Sequence, residues 1–233
     1  KAVKIEQSVP TDADAEIWNT LPELRIPLAG QVIAKPRWQN HAIDMVQVRA
    51  VFNDEEISFL LEWDDPFKDT THDVTREIHE FENTYVMAVD EIPRERDVFR
   101  DSVALQFPVK LKSGAKKPHF FRGDTSNPVN LWVWKSDLDD AGSNPVVDSN
   151  ANGFKKPLKA QPEAGQQVQG KGVWKNGRWR VVMKRSLQTG ERGDIQFKKG
   201  EMIPMAFNAW DGSNGEHGMI MSLSAWSFLY LDV

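Results

Sequence analysis

Apolar and polar residues alternate with a period of two over much of the chain. Runs with the three-to-four-residue spacing of an amphipathic helix are few, so the pattern predicts a mainly β protein. Val46, Val48, Ala50 and Phe52 alternate with polar neighbours. Asn53-Asp54-Glu55 then turns the chain into Ile57, Phe59, Leu61 and Trp63, which predicts a hairpin. A second hairpin is marked by Asn176-Gly177, a dipeptide that tolerates the positive φ angles of a type I′ turn. A two-residue loop there sets Lys175 opposite Arg178 and Trp174 opposite Trp179, an aromatic pair that fixes register. Further strands are predicted around 24–35, 102–109, 129–135, 202–210 and 221–232, each bounded by Gly, Pro, Asn or Asp. Together these elements predict an all-β fold, a β-sandwich with a few short helices and long loops. Val74, Ile78 and Phe81 predict a short helix over 73–83, and 11–18 a partial turn. Residues 136–170 are polar and lack apolar periodicity, so they read as a long loop or docking arm. Neither a repeat nor a boundary divides the chain, and 1–233 is read as a single domain.

Composition narrows the function. Of 233 residues, 40% are hydrophobic, enough for a substantial core. The 29 basic residues are interleaved with 34 acidic ones at a net charge of -5, so nucleic acid is not an expected partner. Cysteine is absent, which removes disulfides, thiolate-bound zinc, iron-sulfur clusters and covalent CxxCH haem attachment. No run approaches the roughly 20 apolar residues of a membrane-spanning helix. The chain begins at Lys1 rather than Met, which suggests a processed precursor and a periplasmic or equivalent exported compartment.

The residues that carry chemistry point away from an independent active site. The five histidines, at 41, 72, 79, 119 and 217, show no zinc-binding spacing, and the chain has no GxSxG, P-loop or GxGxxG motif. Asp64-Asp65 and Asp139-Asp140 lie in turn-like sequence and read as solvated. Nine tryptophans are mostly core candidates, while Trp132, Trp134 and Trp210 are candidates to wall an aromatic ligand cavity. Met219 and Met221 share one strand face with Leu223; core packing is the ordinary reading, but a thioether can also ligate haem iron.

Several segments, in order, resemble the γ subunits of the type II dimethyl sulfoxide reductase family, such as those of ethylbenzene dehydrogenase, dimethylsulfide dehydrogenase, selenate reductase and nitrite oxidoreductase. They are Gln106-Phe107-Pro108-Val109, Asn127-Pro128-Val129-Asn130 with Trp132, Trp134 and Lys135, Asn176-Gly177 with Trp179, Val181 and Arg185-Ser186, and Ala206-Phe207 with Trp210-Asp211-Gly212 and Asn214. The resemblance implies a β-sandwich with one noncovalent haem b between axial ligands from two segments. The ligand positions carry Gln106 and Met221 here, where the ethylbenzene enzyme has methionine and lysine. Met219, His217, Lys110 or Lys112 are the alternatives under a small alignment shift. Asn130, Trp132, Lys135 and Arg185 are the candidate donors to the haem propionates.

By the same resemblance the chain is a non-catalytic subunit that relays electrons between an iron-sulfur subunit and a soluble cytochrome c, in a complex whose molybdopterin subunit does the chemistry. The competing expectation is a secreted β-sandwich module binding a carbohydrate or small ligand through its tryptophans.

Overall fold

A computed structural model describes residues 1–73, 97–110 and 117–232. The helix expected over 73–83 falls almost wholly outside them, as does Lys112. Among the described residues, no helix is long and apolar enough to cross a membrane.

Two sheets account for the chain. The first contains β1 (Val3–Lys4), β2 (Leu24–Pro27), β4 (Met45–Phe52), β5 (Glu56–Asp64), β10 (Gln169–Trp174) and β11 (Arg178–Ser186). Its order is β1-β4-β5-β11-β10, with β2 also pairing with β4. The second contains β3 (Ala29–Gly30), β6 (Ser102–Pro108), β7 (Val129–Lys135), β8 (Val146–Ala151), β9 (Lys159–Ala160), β12 (Met202–Trp210), β13 (Ser222–Leu223) and β14 (Ser227–Tyr230). Its order is β3-β13-β12-β6-β7-β8-β9, with β14 also pairing with β12.

The period of two is what brings the sheets together. Val46, Val48, Ala50 and Phe52 of β4, and Ile57, Phe59, Leu61 and Trp63 of β5, all turn inward. They meet Val103, Leu105 and Phe107 of β6 and Trp132 and Trp134 of β7 in one buried cluster. Each such side chain contributes about 1.5–3 kcal/mol through removal from water. Trp63 and Trp179 stack from the first sheet with ring centroids 6.2 Å apart. Trp134 of the second sheet meets them edge-on, at 6.1 and 4.8 Å.

Both expected hairpins form. Asn53 closes the first, its Oδ1 accepting the Glu55 and Glu56 N–H groups. In the second, Asn176 and Gly177 have φ of 54° and 74°, and Trp174 pairs with Trp179. The partial turn near the N-terminus becomes a 3-10 turn at Glu16–Thr20. Trp18, with Val9 and Ala13, covers the outer face of the first sheet over Val51, Leu60 and Val182.

The reading of 136–170 as a loop is corrected. This stretch holds helix α1 (Ser136–Asp140), β8, β9 and the first two residues of β10. β8 runs antiparallel to β7 over its full length, from Val129↔Ala151 to Trp134↔Val146. The two carboxylate pairs are corrected as well: Asp64 and Asp140 are exposed, but Asp65 and Asp139 are buried. Asp139 accepts the Trp134 indole N–H at 2.9 Å, and also takes Lys171 and the Gly172 N–H.

Candidate functional site

The outer face of the second sheet carries its own apolar cluster, separate from the inter-sheet core. Its floor is Ala104 of β6, Val129, Leu131 and Val133 of β7, Ala151 of β8 and Trp210 of β12. Alternation adds Gln106 and Ala206, which are in register with each other. Above this floor lie Ala34, Phe121, Met219, Met221 and Leu223, flanked by Phe120, Phe154, Leu158 and Trp226. Small side chains at Ala104, Ala151 and Ala206 leave the centre of the floor low, so the larger groups come from the covering loops. A cleft of about 430 Å³ borders this cluster at Pro128, Ala151 and Leu158, with Lys156 and Lys159 on its rim. Clefts of this scale accommodate small ligands and cofactors.

Gln106 and Met221 border this same cluster from opposite elements. Met221 is fully buried as a member of the apolar cluster. Gln106 is also buried, but its amide is fastened: Nε2 donates to the Phe120 carbonyl at 2.6 Å, and Oε1 accepts the Arg122 N–H at 3.1 Å. One lone pair of Oε1 remains beyond that bond. Met219 lies beside Met221 in the cluster. His217 does not; its ring stacks on Phe99 at 4.2 Å, and its Nδ1 lies 2.8 Å from the Gly215 carbonyl. Lys110 is exposed just past β6.

Two residues that sequence reasoning missed organise the cover. Gln31 is buried, and its Nε2 donates to the carbonyls of Ala34, Pro36 and Met219 at 3.0–3.1 Å. Its Oε1 takes the N–H groups of Ile33 and Ala34, and its own N–H donates to the Met221 carbonyl at 3.0 Å. The 31–36 loop is thereby clamped onto the two methionines. Arg122, with φ of 60°, buries a guanidinium at the cluster and donates to the Gly218 carbonyl at 3.2 Å. No local motif marks either residue, because each acts through a single side chain reaching distant backbone.

The candidate propionate donors are split between the two faces. Asn130, Trp132 and Arg185 point into the inter-sheet core rather than toward Met221, so the expectation that they join Gln106 and Met221 in one pocket is corrected. Arg185 is held 3.2 Å from Asp194 and 3.9 Å from Asp148, with its guanidinium 4.9 Å from the centre of the Trp132 ring. Asn130 Nδ2 donates to Asp148, and its Oδ1 accepts the Trp132 indole N–H at 3.2 Å. Burial, and then the neighbouring Asp194 charge, push the Asp148 carboxyl up to about 7. Within this network Asp148 Oδ2 accepts no hydrogen bond and lies 3.9 Å from the Arg185 guanidinium. Lys135, at the end of β7, is half-buried on the outer-face side. The tryptophans divide likewise: Trp132 and Trp134 belong to the inter-sheet core and only Trp210 to the outer cluster, so the three do not wall one cavity.

Comparison with known proteins adds a family likeness to this geometry. The family model for ethylbenzene dehydrogenase matches residues 15–167 and 151–222. A Haloferax mediterranei protein assigned as the haem subunit of a respiratory nitrate reductase, ORF7, is 24% identical over 222 residues, covering 95% of this chain and 68% of the relative. The γ subunit of chlorate reductase from Ideonella dechloratans is 30% identical over 125 residues, covering 54% of this chain and 47% of the relative, so the matched region spans about half of that protein. Among solved structures, a Bacteroides uniformis protein assigned to carbohydrate binding covers 97% of this chain and 88% of its own, with a TM-score of 0.51 and 10% identity. At that identity the likeness is one of fold alone.

Proposed function

This chain belongs to the ethylbenzene dehydrogenase family of γ-type subunits of the type II dimethyl sulfoxide reductase enzymes, and on that premise we propose that it is the electron-transfer subunit of a molybdoenzyme complex. In this reading it holds one noncovalent haem b, and the molybdopterin subunit carries the chemistry on substrate. Electrons pass one at a time between an iron-sulfur subunit and a soluble cytochrome c, in a periplasmic or equivalent exported compartment. A nitrite oxidoreductase-like complex is one assembly that fits.

The observation that carries the proposal is the covered apolar face with a buried thioether in it. Haem supplies one-electron chemistry when bound, and the residues of this face fit such a group. Met221 offers a sulfur with no competing role, and thioether ligation raises the potential of the iron. Gln106 would offer a second ligand atom through the remaining lone pair of Oε1, while the Arg122 N–H and the Phe120 carbonyl hold its amide in orientation. Arg122, together with Lys156 and Lys159 on the cleft rim, supplies the positive charge that two propionates require. Gln31 keeps the cover closed and water out.

A carbohydrate-binding reading has lost the feature that motivated it. All nine tryptophans are described; six are buried, and Trp38, Trp174 and Trp226 are half-buried, so none forms an exposed platform. The test is the absorption spectrum of natively purified protein, with a pyridine hemochrome assay. A Soret band and a haem b hemochrome are expected. A colourless preparation that takes up no added hemin refutes the proposal.

A further inference from the structure

At the strand ends beside Trp210, Asp65, Asp101 and Asp211 are buried together, each with a carboxylate oxygen within 4.8 Å of the others. They come from three strand ends: Asp65 follows β5 of the first sheet, Asp101 precedes β6, and Asp211 follows β12 of the second. The backbone of Asp69 adjoins the group, its N–H donating to Asp101 Oδ2 at 2.8 Å.

The hydrogen bonds leave a particular set of oxygens over. Asp101 Oδ2 also takes the Trp179 indole N–H, and its Oδ1 takes the Gly212 N–H, both at 2.9 Å. Asp211 Oδ1 takes Ser213 Oγ and the Asn214 N–H. Asp65 Oδ1 takes the Phe67 N–H, but Asp65 Oδ2 accepts no hydrogen bond although the residue is only 1% exposed. The Trp63 indole leans toward this carboxylate without hydrogen-bonding geometry. Asp69 Oδ2 is likewise buried and unsatisfied. Among the described residues, no salt bridge reaches Asp65, Asp101 or Asp211.

Carboxylates this close and this buried repel one another, and an unsatisfied buried acceptor costs about 1–3 kcal/mol or more when charged. A hard divalent cation removes both penalties at once. We propose that Asp65, Asp101 and Asp211, assisted by Asp69, form a calcium site that ties the two sheets together at this end of the sandwich. Calcium takes 6–8 oxygen ligands at about 2.3–2.6 Å, so two oxygens on one ion stand no more than about 5 Å apart, the spacing this cluster allows. Water completes the shell. Magnesium, with its rigid octahedron at about 2.0–2.1 Å, fits an irregular set of strand-end carboxylates less well. Gly212 is part of the construction: a Cβ there would lie 2.1 Å from the Phe99 carbonyl oxygen and 2.8 Å from Asp69 Cβ, so only glycine lets Asp211 approach.

The Trp179 contact supplies a probe. The full chain, stripped with EDTA and desalted, is titrated with Tb³⁺ while tryptophan is excited. Sensitised emission is expected, displaced by Ca²⁺ but not by equal Mg²⁺. The thermal midpoint should rise with Ca²⁺ and fall with EDTA, whether or not haem is bound. Asp65→Asn and Asp211→Asn should each weaken Ca²⁺ binding at least about tenfold. A wild-type midpoint unchanged between Ca²⁺ and EDTA overturns the site without reference to any variant. Sensitised emission that persists undiminished in the Asp65→Asn, Asp211→Asn double variant overturns it too, by locating the ion elsewhere.

Discussion

Replacing Arg185 with methionine separates a structural cation from a haem contact. The guanidinium is fully buried, so solvent does not screen its 3.2 Å contact with Asp194 or its 3.9 Å contact with Asp148. It also donates to the carbonyls of Ile195 and Ser186 and lies over Trp132 and Phe197. Methionine keeps much of the packing over those rings and deletes the charge. Removing one partner of a buried ion pair costs about 3–5 kcal/mol, because the carboxylates are left in low dielectric. That is a large share of the roughly 5–15 kcal/mol that holds a domain folded. Urea unfolding at fixed pH, read by linear extrapolation, should show the loss. Adding Asp194→Asn should recover at least about 2 kcal/mol, since both charges are then gone. Hemin stoichiometry and the Soret band should be unchanged in every variant that folds. A loss under about 1 kcal/mol, strict additivity in the double variant, or selective loss of haem affinity refutes the structural assignment of Arg185.

Three further outcomes follow from the same geometry. Asp148, raised to about 7 from an ordinary 3.8 in contact with Asp194 and Arg185, makes the native state hold more protons than the unfolded chain between those values. Its contribution to stability is therefore full below about pH 4 and is lost as pH rises to about 7; Asp148→Asn should flatten that decline in pH-dependent urea midpoints, and an unchanged slope counts against it. Met221→Ala should shift the reduced spectrum and lower the haem potential while costing about 2–5 kcal/mol for the buried cavity, and spectroelectrochemistry showing the wild-type potential would remove Met221 as a ligand. Gly30→Ala would set a Cβ 2.1 Å from the Trp38 carbonyl oxygen, so the 31–42 loop should become more sensitive to limited proteolysis and hemin uptake should fall; wild-type cleavage rates would contradict this.

The central strands were legible because their inward positions are apolar. β8 and the start of β10 were not, and for one reason: their inward positions carry other things. In β8 the inward-facing residues opposite Trp132 and Asn130 are Asp148, which joins the Arg185 network, and Asn150, whose amide donates to the Val129 and Gly193 carbonyls; both are polar and break the expected alternation. In β10 they include Gly170 and Gly172, and a Cβ on Gly172 would lie 2.4 Å from the Trp134 ring. The space those strands leave is filled by side chains from elsewhere, which a local pattern does not register. The buried aspartates failed for the converse reason, since Asp64-Asp65 has the composition of a solvated turn and only the meeting of three strand ends encloses Asp65. Gln106 and Met221 were proposed as ligands through family order, whereas Arg122 and Gln31, which contact the same elements, act through Gly218 and Met219 about a hundred residues or more away.

The indoles of Trp63, Trp134 and Trp179 make the docking of the two sheets optically visible. Two of the chromophores ride on one sheet and the third on the other, at centroid separations of 4.8–6.2 Å. Indoles this close couple their transitions and give paired circular-dichroism bands of opposite sign. The Trp63–Trp179 part of that signal belongs to one sheet and survives its partner's departure, whereas the Trp134 part vanishes once the layers separate. The protein thus carries an intrinsic gauge that distinguishes a sandwich coming apart from a sheet unravelling, with no label attached.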